Sequence, residues 1–173
     1  KERVMEITGI LGDMFAINMA MQSMSETVLD NIKRANIKLD HMDSINEHLR
    51  KEGRATHGEL IVPLPGETKD SFIEGLNKML DSGVSSVCIY TLMMLHGTKF
   101  QDPDYRKTFG YKGKFRIVPL DFGEYDGHKV FDYEEAGIES KDFSFQDYLD
   151  ARAIALFVES LHNGRPFDEF FKY

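Results

Sequence analysis

The sequence predicts an α/β fold built on parallel strands, followed by an α+β extension with a hairpin and a terminal helix. Three observations carry this expectation. Short apolar segments alternate with amphipathic helix-length ones through the first hundred residues; the middle apolar segment runs straight into a Pro-Gly turn; and the alternation stops after Thr98. Strands separated by helices of about ten to fifteen residues call for right-handed crossovers and a parallel sheet.

Residues 14–21 are nearly continuous in apolar character, as a strand covered on both faces would be. Ser23 and Glu26 have capping-box spacing, and Val28, Leu29 and Ile32 follow at helical spacing. Leu39, Met42, Ile45 and Leu49 form a second helical stripe that stops at Gly53. A strand over 58–62 then enters Pro63-Leu64-Pro65-Gly66-Glu67. Thr68 caps a helix whose buried line is Phe72, Leu76, Met79 and Leu80, ending at Gly83. Residues 84–92 read as the next strand.

Farther on, Asp126-Gly127 between two apolar-rich runs favours a tight hairpin turn. Ser144 with Asp147 opens a last helix, with Leu149, Ala153, Leu156 and Ser160 on one line and Ile154, Phe157, Val158 and Leu161 beside it. Gly164 and Pro166 end it, and Phe167, Phe170, Phe171 and Tyr173 make an apolar tail. Two units are expected, 1–100 and 101–173.

At 173 residues the chain can bury one real core but is too short for a closed eight-unit barrel, which takes about 250 residues. No apolar run approaches the roughly 20 residues of a membrane span. A net charge of −8, from 29 acidic and 21 basic residues, repels phosphate backbones and anionic lipid. Nucleic acid and membrane are therefore not expected partners. The run Arg106, Lys107, Lys112, Lys114 and Arg116 reads as a solvated loop face. A single cysteine, Cys88, excludes an intramolecular disulfide and fits a reducing cytoplasm. Lys1 stands where an initiator Met is common and no signal-peptide pattern follows, which suggests a trimmed chain.

Gln22-Ser23 stand at the end of the first strand, Glu59 inside the second and Tyr90-Thr91-Leu92 at the end of the third; if the strands are parallel, Gln22, Gly66, Glu67 and Leu92 gather at one carboxyl edge. An amide, a hydroxyl, carboxylates and bare backbone suit a polar ligand with hydroxyls and an amine. His41 and His48 lack a carboxylate to complete a metal site, and His57-Gly58-Glu59 lacks the cysteine pair of zinc deaminases. The methionines at 14, 19, 21 and 24 read as core filler. Neither a phosphate-binding loop nor a serine-hydrolase elbow occurs.

Leu64-Pro65-Gly66-Glu67-Thr68 after an apolar strand, Met21-Gln22-Ser23 after the preceding one and Gly97-Thr98 beyond the third resemble the later half of a radical S-adenosylmethionine enzyme barrel. The likeness runs over roughly 4–100. Residues 115–152, especially 121–127 and Glu134-Glu135, further resemble the tail of bacterial members that often carry an upstream cobalamin-binding domain. This implies a partial TIM-type (β/α) barrel and S-adenosylmethionine as small-molecule cofactor. It would set Gln22 and Ser23 near ribose and methionine, Glu59 on ribose hydroxyls, the backbone of Leu64, Pro65, Gly66 and Glu67 along methionine and adenosine, and main chain near Thr91 and Leu92 at adenine.

Two departures from the family stand out. Pro63 lies where most members have glycine, removing a donor and fixing φ. The family's four-iron four-sulfur cluster needs three thiolates in a C-x₃-C-x₂-C loop, whereas this chain has Cys88 alone, read as a packing residue. The expectation is therefore a C-terminal fragment that contributes cofactor-binding surface, with cluster and cobalamin belonging to the parent protein. No catalytic residue is assigned. The competing expectation is a non-catalytic interaction module on an incomplete barrel. Either way, open sheet edges predict self-association.

Overall fold

The computed structural model describes residues 2–12, 17–164, 166, 167 and 170. Helix α1 (Glu2–Leu11) precedes β1 (Ile17–Gln22), α2 (Glu26–Asn31), α3 (Leu39–Lys51), β2 (Thr56–Val62), α4 (Lys69–Asp81) and β3 (Ser86–Thr91). A 3₁₀ turn (Lys99–Gln101) and α5 (Pro103–Phe109) lead to β4 (Lys112–Tyr125) and β5 (His128–Glu139). Helix α6 (Phe145–Phe157) continues into a π-helical turn, Val158–His162. Of the strand expected at 14–21, positions 14–16 lie outside the described residues, as do Phe171 and Tyr173 of the tail.

Strands β1, β2 and β3 form a parallel sheet in that order, and β4 and β5 form a separate antiparallel pair. The architecture is thus mixed α/β, a three-strand sheet with a hairpin, and the described residues close no barrel. One face of the sheet is dry. Met19, Met21, Leu60, Val62, Val87 and Ile89 share a cluster with Met42 of α3, Phe72, Leu76 and Met79 of α4, and Ala151, Ala155 and Val158 from the last helical segment. Each large side chain buried this way contributes about 1.5–3 kcal/mol before entropy is counted. The other face carries Asn18, Gln22, His57, Glu59, Ser86, Cys88 and Tyr90, since successive side chains alternate along a strand. That face is polar and partly exposed.

A second cluster sits at the carboxyl rim: Val28, Leu64, Leu92, Met94 and Tyr111, ringed by Phe100, Tyr105 and Phe109. Phe100 meets both Tyr105 and Tyr111 edge to face. The segments 1–100 and 101–173 contribute to both clusters. The hairpin is moored by the Met93 to Ala136 bridge and by Gly137 N–H on the Leu92 carbonyl at 2.8 Å.

Local signals explain most boundaries. Thr68 and Ser71 make a reciprocal capping box on α4, and Ser144 and Asp147 make one on α6. Asp126 and Gly127 take positive φ of 48° and 75°, the paired left-handed geometry of a two-residue hairpin turn.

Three expectations are corrected, and the face that α6 buries, left open by its two apolar lines, is fixed. The Ser23–Glu26 capping box does not form; α2 begins after Ser25, because Ser23 is bonded to Glu67 instead. Alternation does not end at Thr98: α5 follows, with Asp102 as N-cap, Pro103 at its first position and Gly110 at φ 65° closing it. Helix α6 buries Ala151 and Ala155, while Leu149, Leu156 and Phe157 are exposed, the last two by 67% and 64%. The edge of β3 is also not open. Asn163 donates to Val87 O at 2.9 Å and accepts from Val87 N–H at 2.8 Å, and Arg152 donates to Ile89 O at 2.6 Å. An amide side chain here stands in for a neighbouring strand.

Candidate functional site

Parallel strands bring their carboxyl ends to one rim, and there a cavity of about 790 Å³ opens. Its lining includes Gln22 from β1, Ile61 and Leu64 around β2, and Tyr90, Thr91 and Leu92 around β3. Small-molecule sites run from roughly 300 to 1,000 Å³, largely apolar with a few polar groups, so this volume and lining are of the right kind.

Gln22 has the most telling backbone. Its φ is +65°, and the pairing with β2 slips between Ala20 and Gln22. A left-handed non-glycine residue costs about 1–2 kcal/mol. Such a bulge at a strand end re-aims a side chain, and strain of this kind concentrates at ligand sites.

Behind the rim lies a supporting tier. Glu67 is 1% exposed, accepts from Ser23 Oγ at 2.6 Å and from Ser71 Oγ, and follows a turn closed by its own N–H on Leu64 O at 3.0 Å. Burial pushes its carboxyl above the usual range, opposed by those hydroxyl bonds. Gly66 has φ +82°, and a Cβ there would meet Asn31 Nδ2 at 2.6 Å. Asn31 in turn donates to Pro65 O at 2.9 Å. Tyr111 donates to Pro63 O at 3.0 Å, and burial raises its phenol strongly. The Pro-Gly loop is thus held from three sides.

Of the nine residues expected at the site, Gln22, Leu64, Thr91 and Leu92 line the cavity. Ser23, Pro65, Gly66 and Glu67 stand behind it, so Ser23 and Glu67 bond each other, not the space in front. Glu59 stands on the open sheet face beside Tyr90, outside the lining. Thr91 Oγ1 lies 3.1 Å from Tyr148 Oη, which ties the rim to α6. Cys88 is not in the dry core; it sits half-buried beside Tyr90 and pushes that phenol upward, helped by burial and Glu59.

Residues that the sequence did not nominate also line the cavity: Lys33, Arg34, Phe100, Arg116 and Arg152. Arg34 donates to Ala20 O. The basic run read as a solvated face is largely paired with β5 carboxylates, Arg106 from α5 with Glu135, and Lys112 and Arg116 from β4 with Glu139 and Glu134. Charge alternation between β4 and β5 was the available signal. Among the described residues no His, Cys, Asp and Glu group is arranged to hold a metal ion, and no helix is long and apolar enough to cross a membrane.

The site thus belongs to a mixed α/β protein with a parallel three-strand sheet and a cavity at its carboxyl rim, the place where ligands of open α/β sheets commonly bind. Comparison with known proteins narrows the class. The chain is 30% identical over 122 residues to the cobalamin-dependent radical SAM methyltransferase TokK of Streptomyces tokunonensis, a match covering 68% of this chain and 17% of that protein. It is 28% identical over 170 residues to the 2-(S-pantetheinyl)-carbapenam-3-carboxylate methyltransferase of Streptantibioticus cattleyicolor, covering 94% of this chain and 24% of that one. No family model matches. The chain therefore has distant homology to radical SAM methyltransferases and a radical SAM-related origin, and it spans about a sixth to a quarter of these relatives' lengths.

Proposed function

We propose that this chain is a C-terminal portion of a cobalamin-associated radical SAM enzyme, a partial (β/α) barrel that supplies much of the S-adenosylmethionine-binding surface. The observation that carries the reading is the convergence of Gln22, Leu64, Thr91 and Leu92 on one rim cavity. The residues present fit the cofactor. Leu64, Ile61 and Leu92 offer apolar surface to adenine, the Gln22 amide is a hydrogen-bonding group for ribose or amino-acid atoms, and Glu59 stands on the face below.

When bound, S-adenosylmethionine supplies a sulfonium whose reductive cleavage or methyl loss is the chemistry; orientation and exclusion of water are the protein's share. Gln22 aims its amide through a strained bulge. Ser23, Glu67 and Ser71 hold the loop that carries Leu64, and Tyr111 fixes Pro63 from the extension. Thr91 holds the rim of β3 through Tyr148.

The four-iron cluster does not fit this chain. One cysteine cannot provide three thiolates, so no step is assigned to it here. Cobalamin is named for the tokunonensis relative, and no residue of this chain is assigned to it. A reducing, cytoplasmic setting accords with the single free thiol.

Titration calorimetry with S-adenosylhomocysteine tests the reading. Saturable one-to-one binding that weakens about tenfold in Gln22→Ala is expected, the loss of one or two hydrogen bonds to a ligand. Binding that Gln22→Ala leaves unchanged, or none at millimolar ligand, would overturn it.

A further inference from the structure

We propose that the rim cavity also binds an oxyanion, a carboxylate or phosphoryl group carried by a second small molecule seated beside the cofactor, through Lys33, Arg34, Arg116 and Arg152. The chain carries a net charge of −8, yet among the described residues its cavity is lined by three arginines and one lysine and by no Asp or Glu. These cations come from three separate places: the turn after α2 for Lys33 and Arg34, β4 for Arg116 and α6 for Arg152. Convergence from distant parts of the chain is not the clustering of a charged run.

Two of the guanidinium groups are anchored. Arg34 donates through Nη2 to Ala20 O, and Arg152 through Nη1 to Ile89 O at 2.6 Å. Each anchor uses one of five N–H donors and leaves the charge uncompensated, since a carbonyl is neutral. A guanidinium held by main chain presents its remaining fork with little rotamer entropy left to lose, which suits bidentate oxyanion binding. Arg116 is paired with Glu134 at 2.6 Å. Lys33 has a left-handed φ of 56°, and among the described residues no carboxylate pairs with it.

Charge counting decides which ligand carries the oxyanion, and this step rests on the cofactor reading above. With Glu134 balancing Arg116, three cations remain. S-adenosylmethionine brings one carboxylate but also an ammonium and a sulfonium, so it adds positive charge to the cavity instead of cancelling it. A co-bound anion removes this repulsion. The chemical class is a small molecule bearing carboxylate or phosphoryl oxygens.

Titration of the isotopically labelled chain with sodium phosphate, sodium glutarate or sodium chloride, at matched ionic strength and followed by ¹H–¹⁵N spectra, tests this. Saturating shifts of the Arg34 and Arg152 Nε–H signals are expected with phosphate or glutarate and not with chloride, the tighter of the two naming the oxyanion type. Lys33→Gln, an exposed change outside any hydrogen-bond anchor, is expected to weaken that binding about tenfold. Arg152→Gln is a harsher variant because Arg152 also holds β3. Indifference to all three salts, or Lys33→Gln binding like the parent, would overturn the site. Repeating the titration with S-adenosylhomocysteine separates the two readings. Simultaneous binding supports a second ligand, and mutual exclusion overturns it. Anion binding without any S-adenosylhomocysteine binding keeps the anion site and removes the cofactor reading.

Discussion

Gln22 trades stability for position. Its left-handed backbone has no steric excuse in a residue with a Cβ, and the bulge at Ala20 to Gln22 points the amide into the rim cavity. Gln22→Gly is therefore expected to stabilise the chain by about 1 kcal/mol in urea unfolding, because glycine enters this region without penalty. It should at the same time lose cofactor affinity as Gln22→Ala does. A destabilised Gln22→Gly would mean that the strain is not at this residue. Glu67 makes a different trade. Its folded-state pKa is raised by burial, so between the unfolded and folded values the native state binds more protons. Its stabilising contribution is full below the unfolded value and is lost as pH rises through the folded one. Stability measured relative to Glu67→Gln should thus fall as pH is raised above the ordinary carboxylate range. Glu67→Ala should cost about 1–3 kcal/mol, since the Ser23 and Ser71 hydroxyls lose their acceptor. A Glu67→Gln difference that does not vary with pH would contradict this assignment.

At the scale of elements, the last helix works chiefly as an edge cover. Helix α6 carries apolar residues on more than one face, so periodicity offered two lines and could not say which one meets the sheet; Ala151 and Ala155 allow close approach, and Leu156 is left outside. Asn163 then bonds both main-chain groups of Val87. Asn163→Ala should expose that pair, with faster amide exchange at Val87, a loss of about 1–3 kcal/mol, and concentration-dependent association by strand pairing. A monomeric variant with Val87 exchange unchanged would show that α6 packing alone protects β3. Strands β2 and β3 and helix α4 declared themselves through alternation, the Thr68 cap and the Pro-Gly turn. The partnership of Ser23 with Glu67 was not readable, because it spans 44 positions and competes with a local cap of equal merit. Helix α5 carries local signals of its own, with Asp102 and Pro103 as its start and Gly110 as its stop. Rim cations such as Arg152 and Arg116 carry no local signal, since only the docking of α6 and the hairpin brings them to the cavity.

The whole molecule is lopsided, with a sheet whose one face is dry and whose other carries Asn18, Gln22, His57, Glu59, Ser86, Cys88 and Tyr90 toward open space. A closed barrel lines its interior with such residues, and the polar ones gain meaning only with a ligand or further strands against them. Cofactor binding and cluster assembly should therefore come apart in this chain. The rim contains Gln22, Leu64, Thr91 and Leu92, whereas the thiol inventory is Cys88 alone, on β3 beside Tyr90. Anaerobic incubation with ferrous iron and sulfide, followed by desalting, should leave no visible thiolate-to-iron absorption, and Cys88→Ala should behave identically. S-adenosylhomocysteine binding should persist in both. A stable absorbing cluster on the parent chain that disappears in Cys88→Ala would require cysteines to be shared between copies, three thiolates from three chains, and would move the cluster from a different part of a larger protein to an assembly of this one.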